Sequence, residues 1–371
     1  MRYFIVAGEA SGDLHGANLM KHLKAKDVDA EFHFWGGDLM KAQGGTLLKH
    51  IKDLAFMGFS EVLKNIRTIL RNIKTCKSQI LEYKPDVVIF IDYPGFNLKI
   101  ASFAKENGFK TFYYISPSVW AWKESRVEKI KKYVDEMFVI LPFEKPFYKK
   151  HNYNVHYLGH PLLDAIDNFK KENNNLEELK KEHQLGEKPI IALLAGSRKQ
   201  EIKIKLPIML DMVDKFPEYQ FVTGIAPNLS KEWIEEMIGK KDVKIIENKT
   251  YALLSIAHAA LVTSGTATLE TALFKVPQVV CYKGNELSFQ IAKRIVNVKY
   301  ISLVNLILDR KSVTELIQGD LTSKNLQKEL TDILDTEKRK EIANDYQELE
   351  QKLGGTGASE RIADIMIQKL I

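Results

Sequence analysis

Residues 259–277 constrain the fold more than any other stretch of the chain. They open with an apolar run, 259–262, which is typical of a buried strand in a parallel sheet. A turn of small residues follows, and the pattern then predicts a helix over 267–274 that ends before a proline. The next run, 279–282, is again strand-like. Together these segments predict a βαβ unit, the building block of a parallel α/β sheet.

The turn between that strand and that helix is a candidate phosphate site. It consists of Ser264, Gly265 and Thr266, where the unpaired N–H groups and the positive dipole end of a helix meet. Glu270 lies about one turn inside the helix, and Ala267, three residues earlier, rules out a capping box. We expect Glu270 to bind a ligand hydroxyl. A surface helix with an acid near its start explains the stretch equally well.

Length and composition are typical of a soluble protein of two or three domains. The chain has 371 residues, and its two cysteines, Cys76 and Cys281, lie far apart, which favours a reducing compartment. The apolar run after Met1 is too short for a signal peptide. No apolar run reaches the roughly 18 residues that a membrane span needs, so none is predicted. The nine histidines show no metal-ligand spacing, so no metal site is predicted.

The net charge of +6 comes entirely from the first half of the chain. Residues 1–165 hold 24 Lys and Arg against 18 Asp and Glu, whereas the remainder holds 30 of each. A basic half suits nucleic acid, an anionic membrane or phosphorylated substrates, and it suits solubility alone equally well.

The first half begins with a predicted strand over 2–7 and a glycine-containing turn over 8–13. The spacing of that turn departs from G-x-G-x-x-G, so a dinucleotide site is not predicted. A buried strand over 85–91 ends at Asp92. An acid at the carboxyl end of a central parallel strand lies where ligands bind in open α/β sheets. Asp92 is therefore a candidate general base, although aspartate also orients turns.

Residues 60–84 predict a long amphipathic helix whose polar face is basic. The basic residues include Lys64, Arg67, Arg71 and Lys74. Such a helix either covers the sheet with a solvated basic face or lies on a membrane surface, and the pattern alone favours neither.

A second series of strands and helices begins at Pro189. A strand over 190–194 leads into Gly196, Ser197 and Arg198. This turn is a second pyrophosphate candidate, because arginine presents a planar fork of donors to phosphate oxygens. Two βα domains predict a cleft, and no acid pair at a strand end indicates a metal. The layout suits transfer from a nucleotide-activated donor, with Arg198 and helix dipoles meeting the charge of the leaving diphosphate.

Several segments of the chain together resemble one family. They are VAGEASGD (6–13), FMGFSEVL (56–63), KPDVVIFIDYPGFN (84–97), YISPSVWAWKESRV (114–127), LPFEKPFY (141–148), LGHPLLD (158–164), GSR (196–198) and SGTATLE (264–270). These segments, which extend over almost the whole chain, resemble the lipid-A-disaccharide synthase family. The SPSVWAW loop is highly specific to that family.

The resemblance implies a GT-B glycosyltransferase: an α/β fold of two Rossmann-like, doubly wound parallel-sheet domains that face a cleft. The acceptor and membrane domain would be 1–167, joined by the C-terminal helix 358–371, and the UDP-sugar domain would be 168–353. The implied reaction joins UDP-2,3-diacylglucosamine to 2,3-diacylglucosamine 1-phosphate (lipid X) with inversion. Its products are the β-1,6 lipid A disaccharide 1-phosphate and UDP. No cofactor, metal or nucleic acid partner is implied.

The resemblance also implies residue roles. Asp92 would be the catalytic base, and Glu9 is the next candidate. The UDP site would comprise Gly196, Ser197, Arg198, Ser264, Gly265, Thr266, Glu270 and Asn305. The acceptor and its lipid would face Ser11, Gly12, Asp13, Ser116, Ser118, Trp120 and Trp122. The sequence departs from the family pattern at Gly95, where a second acid is usual, and at Ala195, where proline is usual.

Substrates with acyl chains give the basic helix over 60–84 a reason to lie on a membrane. We expect Lys64, Arg67, Arg71 and Lys74 to face anionic lipid, and the protein to be cytoplasmic and peripheral on the inner membrane. The sequence leaves a homodimer open. Two competing functions are a UDP-sugar 2-epimerase or another GT-B enzyme with a soluble substrate, and a non-catalytic membrane-surface protein that keeps a nucleotide fold.

Overall fold

The computed structural model describes residues 1–54, 65–172, 176–226, 229–286, 289–290, 294, 296 and 298–371. Within these ranges the chain forms two compact units. The first is Met1–Ala165 together with Leu353–Ile371, and the second is Ile166–Lys352. None of the helices in the described ranges is long and apolar enough to cross a membrane.

The sheet of the first unit has seven strands, all paired in parallel. They are β1 (Arg2–Ala7), β2 (Glu31–Gly36), β3 (Thr46–His50), β4 (Val87–Ile91), β5 (Lys110–Tyr114), β6 (Glu136–Val139) and β7 (His156–Tyr157). Their order across the sheet is β3-β2-β1-β4-β5-β6-β7. Strands β1, β4 and β5 are buried almost throughout, as expected for parallel strands that helices cover on both faces.

The helices of this unit follow the strands in alternation. They are α1 (Ala10–Lys26), α2 (Asp38–Ala42), α3 (Ile66–Tyr83), α4 (Pro94–Glu106), α5 (Val119–Trp122), α6 (Val127–Tyr133) and α7 (Glu144–Lys150), and α8 (Leu162–Glu172) follows at the junction of the two units. Helix α3 packs through Asn72, Cys76 and Ile80, which recur every four residues and so lie on one face. That face covers one side of the sheet.

The second unit repeats the plan with six parallel strands. They are β8 (Ile190–Leu194), β9 (Gln220–Ile225), β10 (Val243–Glu247), β11 (Ala257–Thr263), β12 (Gln278–Tyr282) and β13 (Thr314–Ile317). The order is β10-β9-β8-β11-β12-β13. The helices are α9 (Leu176–Glu182), α10 (Lys199–Leu210), α11 (Lys231–Ile238), α12 (Thr250–Ile256), α13 (Thr266–Leu273), α14 (Leu303–Leu308), α15 (Ser323–Leu334) and α16 (Thr336–Lys352). Short 3₁₀ helices cover Ile51–Asp53, Glu124–Arg126, Val213–Lys215 and Gln318–Asp320.

The last helix, α17 (Ala358–Gln368), belongs to the first unit and packs on α1. Asp164 holds its start, because the carboxylate accepts the N–H groups of Gly357 and Ser359 at 2.5 and 2.8 Å. Ile362 and Met366 then pack into the core between the sheet and α1. The end of the chain thus completes the layer of helices over the first sheet.

Each sheet reverses its strand order at one place. In the first sheet the reversal lies between β1 and β4, and in the second it lies between β8 and β11. The helices on either side of such a point leave in opposite directions, which opens a crevice at the carboxyl ends of the two strands. Each unit therefore has one defined place for a ligand.

The prediction of two Rossmann-like, doubly wound parallel-sheet domains is confirmed. The strands that the sequence did not reveal are β3, β7 and β13, all at sheet edges. Edge strands lack the continuous apolar run of buried strands, so local patterns miss them. The helix predicted over 60–84 is described from Ile66 onward, whereas Lys64 and the segment 56–63 lie outside the described residues.

Candidate active site

Two acidic side chains follow the central strands of the first sheet. Glu9 lies two residues after β1 and precedes α1, and Asp92 follows β4 directly. Because β1 and β4 are neighbours, both acids lie at the same edge of the sheet, and the charge of Glu9 acts on Asp92. The structure thus brings together the two residues that the sequence named as candidate bases.

The main chain at Asp92 has an unusual conformation that neighbouring side chains support. Asp92 and Tyr93 have positive φ angles of 45° and 47°, which are uncommon outside glycine. The Asn97 amide donates to main-chain oxygens at the ends of β1 and β4, both at 3.2 Å, and to that of Asp92 at 2.8 Å. The Tyr113 hydroxyl donates to the same Asp92 oxygen at 2.5 Å. These bonds hold the turn that carries the Asp92 carboxylate.

The Asp92 carboxylate has the pKa of a general base. Burial raises its pKa from 3.8 to about 7, and the charge of Glu9 adds to the rise, whereas the N–H of Tyr93 opposes it. A base transfers protons best when its pKa lies near the working pH. Asp92 can therefore accept a proton near neutral pH.

The ring of Tyr93 covers the turn after β1. A side chain at Gly8 would overlap this ring, so position 8 requires glycine because of the close approach. The ring also stacks on Phe96 with centroids 5.4 Å apart. The turns that carry Glu9 and Asp92 are thus packed against each other.

Gly12 and Asp13, which the resemblance implies face the acceptor, are both buried. Asp13 is 4% exposed, and its carboxylate accepts three N–H groups at the start of α2, at 2.7, 3.0 and 3.1 Å. Gly12 is buried against Ala7. Both residues therefore hold the fold, and of the predicted trio Ser11 is the one that is exposed.

The aromatic loop after β5 has a buried side. Ser116 is buried, and its hydroxyl lies 2.6 Å from that of Tyr148. Trp120 packs edge-on against Phe143, with ring centroids 4.8 Å apart. Beneath them, burial raises the pKa of Glu144 to about 8, while N–H groups of the preceding turn, Trp120 and Ser116 oppose the rise. Ser116 and Trp120 therefore anchor the loop, and the predicted contact of both residues with the acceptor stays a prediction.

The same loop also has an exposed side. Ser118 is exposed, and Trp122 is 43% exposed. Lys123 and Arg126 place their cationic groups 4.8 and 5.0 Å from the centre of the Trp122 ring. An exposed indole flanked by cations suits a ligand with both an apolar and an anionic part.

The outer face of α3 combines apolar and basic side chains. Ile66 is 48% exposed and Leu70 is 57% exposed. Arg67, Arg71 and Lys74 are exposed as well. One face of the helix therefore covers the sheet and the other is open, and contact of the open face with a membrane stays a prediction.

In the second unit, the turn after β8 carries Arg198 on the solvent side. Gly196 has a φ of 120°, and a Cβ there would lie 3.1 Å from Glu201 Oε2 and 3.7 Å from Lys205 Nζ. Ser197 is exposed, and Arg198 is 57% exposed. Arg198 Nη1 donates to Glu201 Oε1 at 3.2 Å. The guanidinium is thus oriented by an acid at the start of α10.

The turn after β11 lies beside it, since β8 and β11 are paired. Gly265 has a φ of 143°, and Gly265 and Thr266 are exposed at the start of α13. The Ser264 hydroxyl donates to a main-chain oxygen at 2.8 Å. Glu270 Oε1 accepts a hydrogen bond from the Tyr251 hydroxyl at 3.1 Å. Burial raises the pKa of Glu270, and this hydrogen bond opposes the rise. Both predicted nucleotide turns therefore lie at the carboxyl ends of two neighbouring strands in the middle of the second sheet.

Asn305 has a different place from the one expected. It is fully buried, and its Nδ2 donates to Val313 O and Glu315 Oε1, both at 2.9 Å. Its Oδ1 accepts from the N–H groups of Ser312 and Val313 at 2.8 and 2.9 Å. All four hydrogen-bonding positions of the amide are used. The Asn305 side chain therefore holds the segment before β13, and its predicted contact with UDP stays a prediction.

Sequence reasoning missed two buried polar residues, Asn97 and Lys205. Lys205 is 2% exposed, and its ammonium group contacts the Thr263 hydroxyl and, at 3.4 Å, Glu201. The available signal was a lysine on the same helical face as the buried Ile202 and Met209. The signal for Asn97 was a polar residue beside apolar positions of α4 that are also buried.

A metal ion requires a close arrangement of thiols, imidazoles or acids. Among the described residues, no group of three or more His, Cys, Asp or Glu side chains is placed to hold a metal ion. Cys76 and Cys281 are buried and free, and burial raises the pKa of both, that of Cys281 to about 12. Neither thiol is thus suited to act as a nucleophile.

Solved structures share this architecture. The UDP-GlcNAc 2-epimerase from Neisseria meningitidis, solved with UDP-GlcNAc bound, has a TM-score of 0.73 at 14% identity, covering 99% of this chain and 100% of that one. At this identity the likeness establishes the fold, that of GT-B enzymes, and nothing about the reaction.

Sequence relatives identify the family. The family model for lipid-A-disaccharide synthetase matches residues 3–368. A lipid-A-disaccharide synthase from Syntrophus aciditrophicus is 40% identical over 97% of this chain and 95% of its own length. One from Coxiella burnetii is 37% identical over 98% and 96%. These matches agree with the motifs quoted above, and the chain belongs to the lipid-A-disaccharide synthetase family of glycosyltransferases.

Proposed function

We propose that the chain joins UDP-2,3-diacylglucosamine to 2,3-diacylglucosamine 1-phosphate with inversion at the donor sugar. The products are the β-1,6-linked lipid A disaccharide 1-phosphate and UDP. The observation that carries the proposal is Asp92, a half-buried residue at the switch point of the first sheet whose carboxyl pKa is raised to about 7, in a chain of this family.

The proposed reaction is a single in-line displacement. The 6-hydroxyl oxygen of the acceptor forms a bond to C1 of the donor while the bond from C1 to the diphosphate oxygen breaks. The hydroxyl proton passes to Asp92, and the electron pair of the broken bond leaves with UDP. Asp92 must lie within hydrogen-bond reach of that hydroxyl, which the bonds from Asn97 and Tyr113 support by fixing its turn.

The second unit would bind the nucleotide. Arg198 and the N–H groups at the turn Ser264–Thr266 would bind the diphosphate, and Glu270 would accept a hydrogen bond from a hydroxyl of the sugar or ribose. Two observations support this site. The turns that carry Arg198 and Ser264 follow two neighbouring strands, β8 and β11, and the Neisseria meningitidis enzyme of the same fold was solved with UDP-GlcNAc bound.

The first unit would bind the acceptor and the membrane. Ser11, Ser118 and Trp122 are the exposed residues of the two predicted acceptor loops that support this role. The outer face of α3 would rest on anionic lipid at the cytoplasmic side of the inner membrane, since basic side chains attract the lipid and apolar ones enter it.

The experiment that tests the function measures UDP release in detergent. UDP-diacylglucosamine and 2,3-diacylglucosamine 1-phosphate together should give UDP and a disaccharide phosphate, and neither substrate alone should do so. A 2-epimerase would instead convert UDP-GlcNAc without an acceptor. A non-catalytic lipid-binding protein would bind vesicles and release no UDP in any mixture.

A further inference from the structure

A buried cation lies under the two turns proposed to bind diphosphate. Lys205 projects from α10, and its Nζ contacts the hydroxyl of Thr263, the last residue of β11. The same Nζ lies 3.4 Å from Glu201 Oε2, while the other oxygen of Glu201 accepts from Arg198 at 3.2 Å. One ammonium group is therefore linked to Arg198 on one side and to the turn that begins at Ser264 on the other.

A purely structural role does not explain this lysine. Its neighbours on the helix, Ile202, Leu206 and Met209, are buried, so an apolar side chain would suit the position better. Burial of an ammonium group is costly, and apolar replacements of buried ion pairs are often neutral or stabilising. The same loss of solvation lowers the pKa of the Lys205 ammonium group. The cation therefore has a cost to the fold that a function would offset.

We propose that Lys205 is a positioning residue for the nucleotide diphosphate: through Glu201 it orients Arg198, and through Thr263 it holds the turn Ser264–Thr266. This role rests on the proposed UDP site. Lys205 itself need not touch the ligand, because it is 2% exposed and lies beneath Gly196. Its charge also adds to the positive field at the two turns, where a buried charge is poorly screened.

The test compares Lys205→Met with Lys203→Met, an exposed lysine two residues away on the same helix. Calorimetry should find that Lys205→Met weakens UDP binding about tenfold, as expected when a charge-assisted contact loses its geometry. Lys203→Met should bind UDP like the wild type. The thermal midpoint of Lys205→Met should stay equal or rise, whereas loss of a structural lysine would lower it.

Two further measurements make the role specific. In an Arg198→Ala background, Lys205→Met should have little additional effect, because the two residues act through one link. Glu201→Gln breaks the same link without changing a buried position, and it should reproduce most of the loss. UDP affinity of Lys205→Met equal to that of Lys203→Met, or full additivity with Arg198→Ala, would overturn the inference. A wild-type chain that binds no UDP would instead contradict the proposed function itself.

Discussion

The side-chain nitrogen of Asn97 lies 2.8 Å from the main-chain oxygen of Asp92 and 3.2 Å from that of Val6. One buried amide thus joins the ends of β1 and β4 at the point where the strand order reverses. The candidate base is held by main-chain contacts that this amide makes, and its own carboxylate stays available for a proton.

Replacing Asn97 by Ala should therefore impair both turnover and stability. Main-chain oxygens at the strand ends would lose their buried donor, which should lower the free energy of unfolding by roughly 1–3 kcal/mol. Turnover should fall further than the folded fraction, because Asp92 loses its support. Denaturant titration and rates at saturating substrate measure the two effects. Asn107→Ala, at the exposed position that directly follows the same helix, is the matched control, and wild-type kcat in Asn97→Ala would contradict the assignment.

The sequence predicts the central strands of this fold because they are continuous apolar runs. It could also place Glu9, Asp92, Arg198 and Ser264 near strand ends, since each lies within a few residues after such a run. The order of the strands is set by packing between distant segments, so the two switch points could not be read from local patterns. Only the structure shows that Glu9 acts on Asp92.

Side-chain roles that depend on hydrogen bonds were harder to predict. The resemblance implies ligand-facing roles for Asp13 and Asn305, yet the polar atoms of both side chains are bonded to groups of the protein itself. Lys205 resembled a surface lysine within a charged helix, and its burial results from contact with Thr263, 58 residues away. Such partners are distant in sequence and leave no local signal.

Replacing Glu9 by Gln should move the pH profile of the enzyme. Asp92 accepts a proton only when ionised, so kcat/KM should rise with pH through the pKa of about 7. The charge of Glu9 contributes to that raised pKa, and its removal lowers the pKa. The acid limb should therefore shift to lower pH in Glu9→Gln. Glu106→Gln, an exposed change on α4, should leave the limb in place, and an unmoved limb in Glu9→Gln would exclude the coupling.

Turnover should survive EDTA. Arg198 and the N–H groups at the start of α13 are expected to meet the charge of the leaving diphosphate without a metal ion. The UDP-release assay after exhaustive chelation measures this directly. A loss of activity that added Mg²⁺ restores would require a metal in the mechanism.

Charge reversal on α3 should weaken membrane binding. Each basic side chain near an anionic surface contributes about 1 kcal/mol, so changing Arg67, Arg71 and Lys74 to Glu should release the protein from vesicles that contain anionic lipid. As a control, changing three exposed lysines of the second unit, Lys311, Lys324 and Lys328, to Glu alters the net charge by the same amount. Equal partitioning of both variants at physiological salt would leave α3 as a cover for the sheet.

Asp92→Asn should fold at least as well as the wild type, which makes it a clean test of chemistry. The pKa of Asp92 is raised in the folded state, so the folded protein holds this proton more tightly than the unfolded chain. Stability therefore falls as pH rises from the ordinary pKa of 3.8 towards 7, where the half-buried carboxyl group of the folded protein ionises. Asparagine carries no charge to bury. The thermal midpoint of the variant should match or exceed that of the wild type above neutral pH, and UDP should bind normally.

The most direct test of the account is the turnover of that variant with both lipid substrates. If Asp92 is the base, Asp92→Asn loses about 10²–10⁴ in kcat, the usual contribution of general-base catalysis, while UDP affinity stays unchanged. Turnover near that of the wild type would contradict the account and assign proton removal to another residue, with Glu9 the next to test.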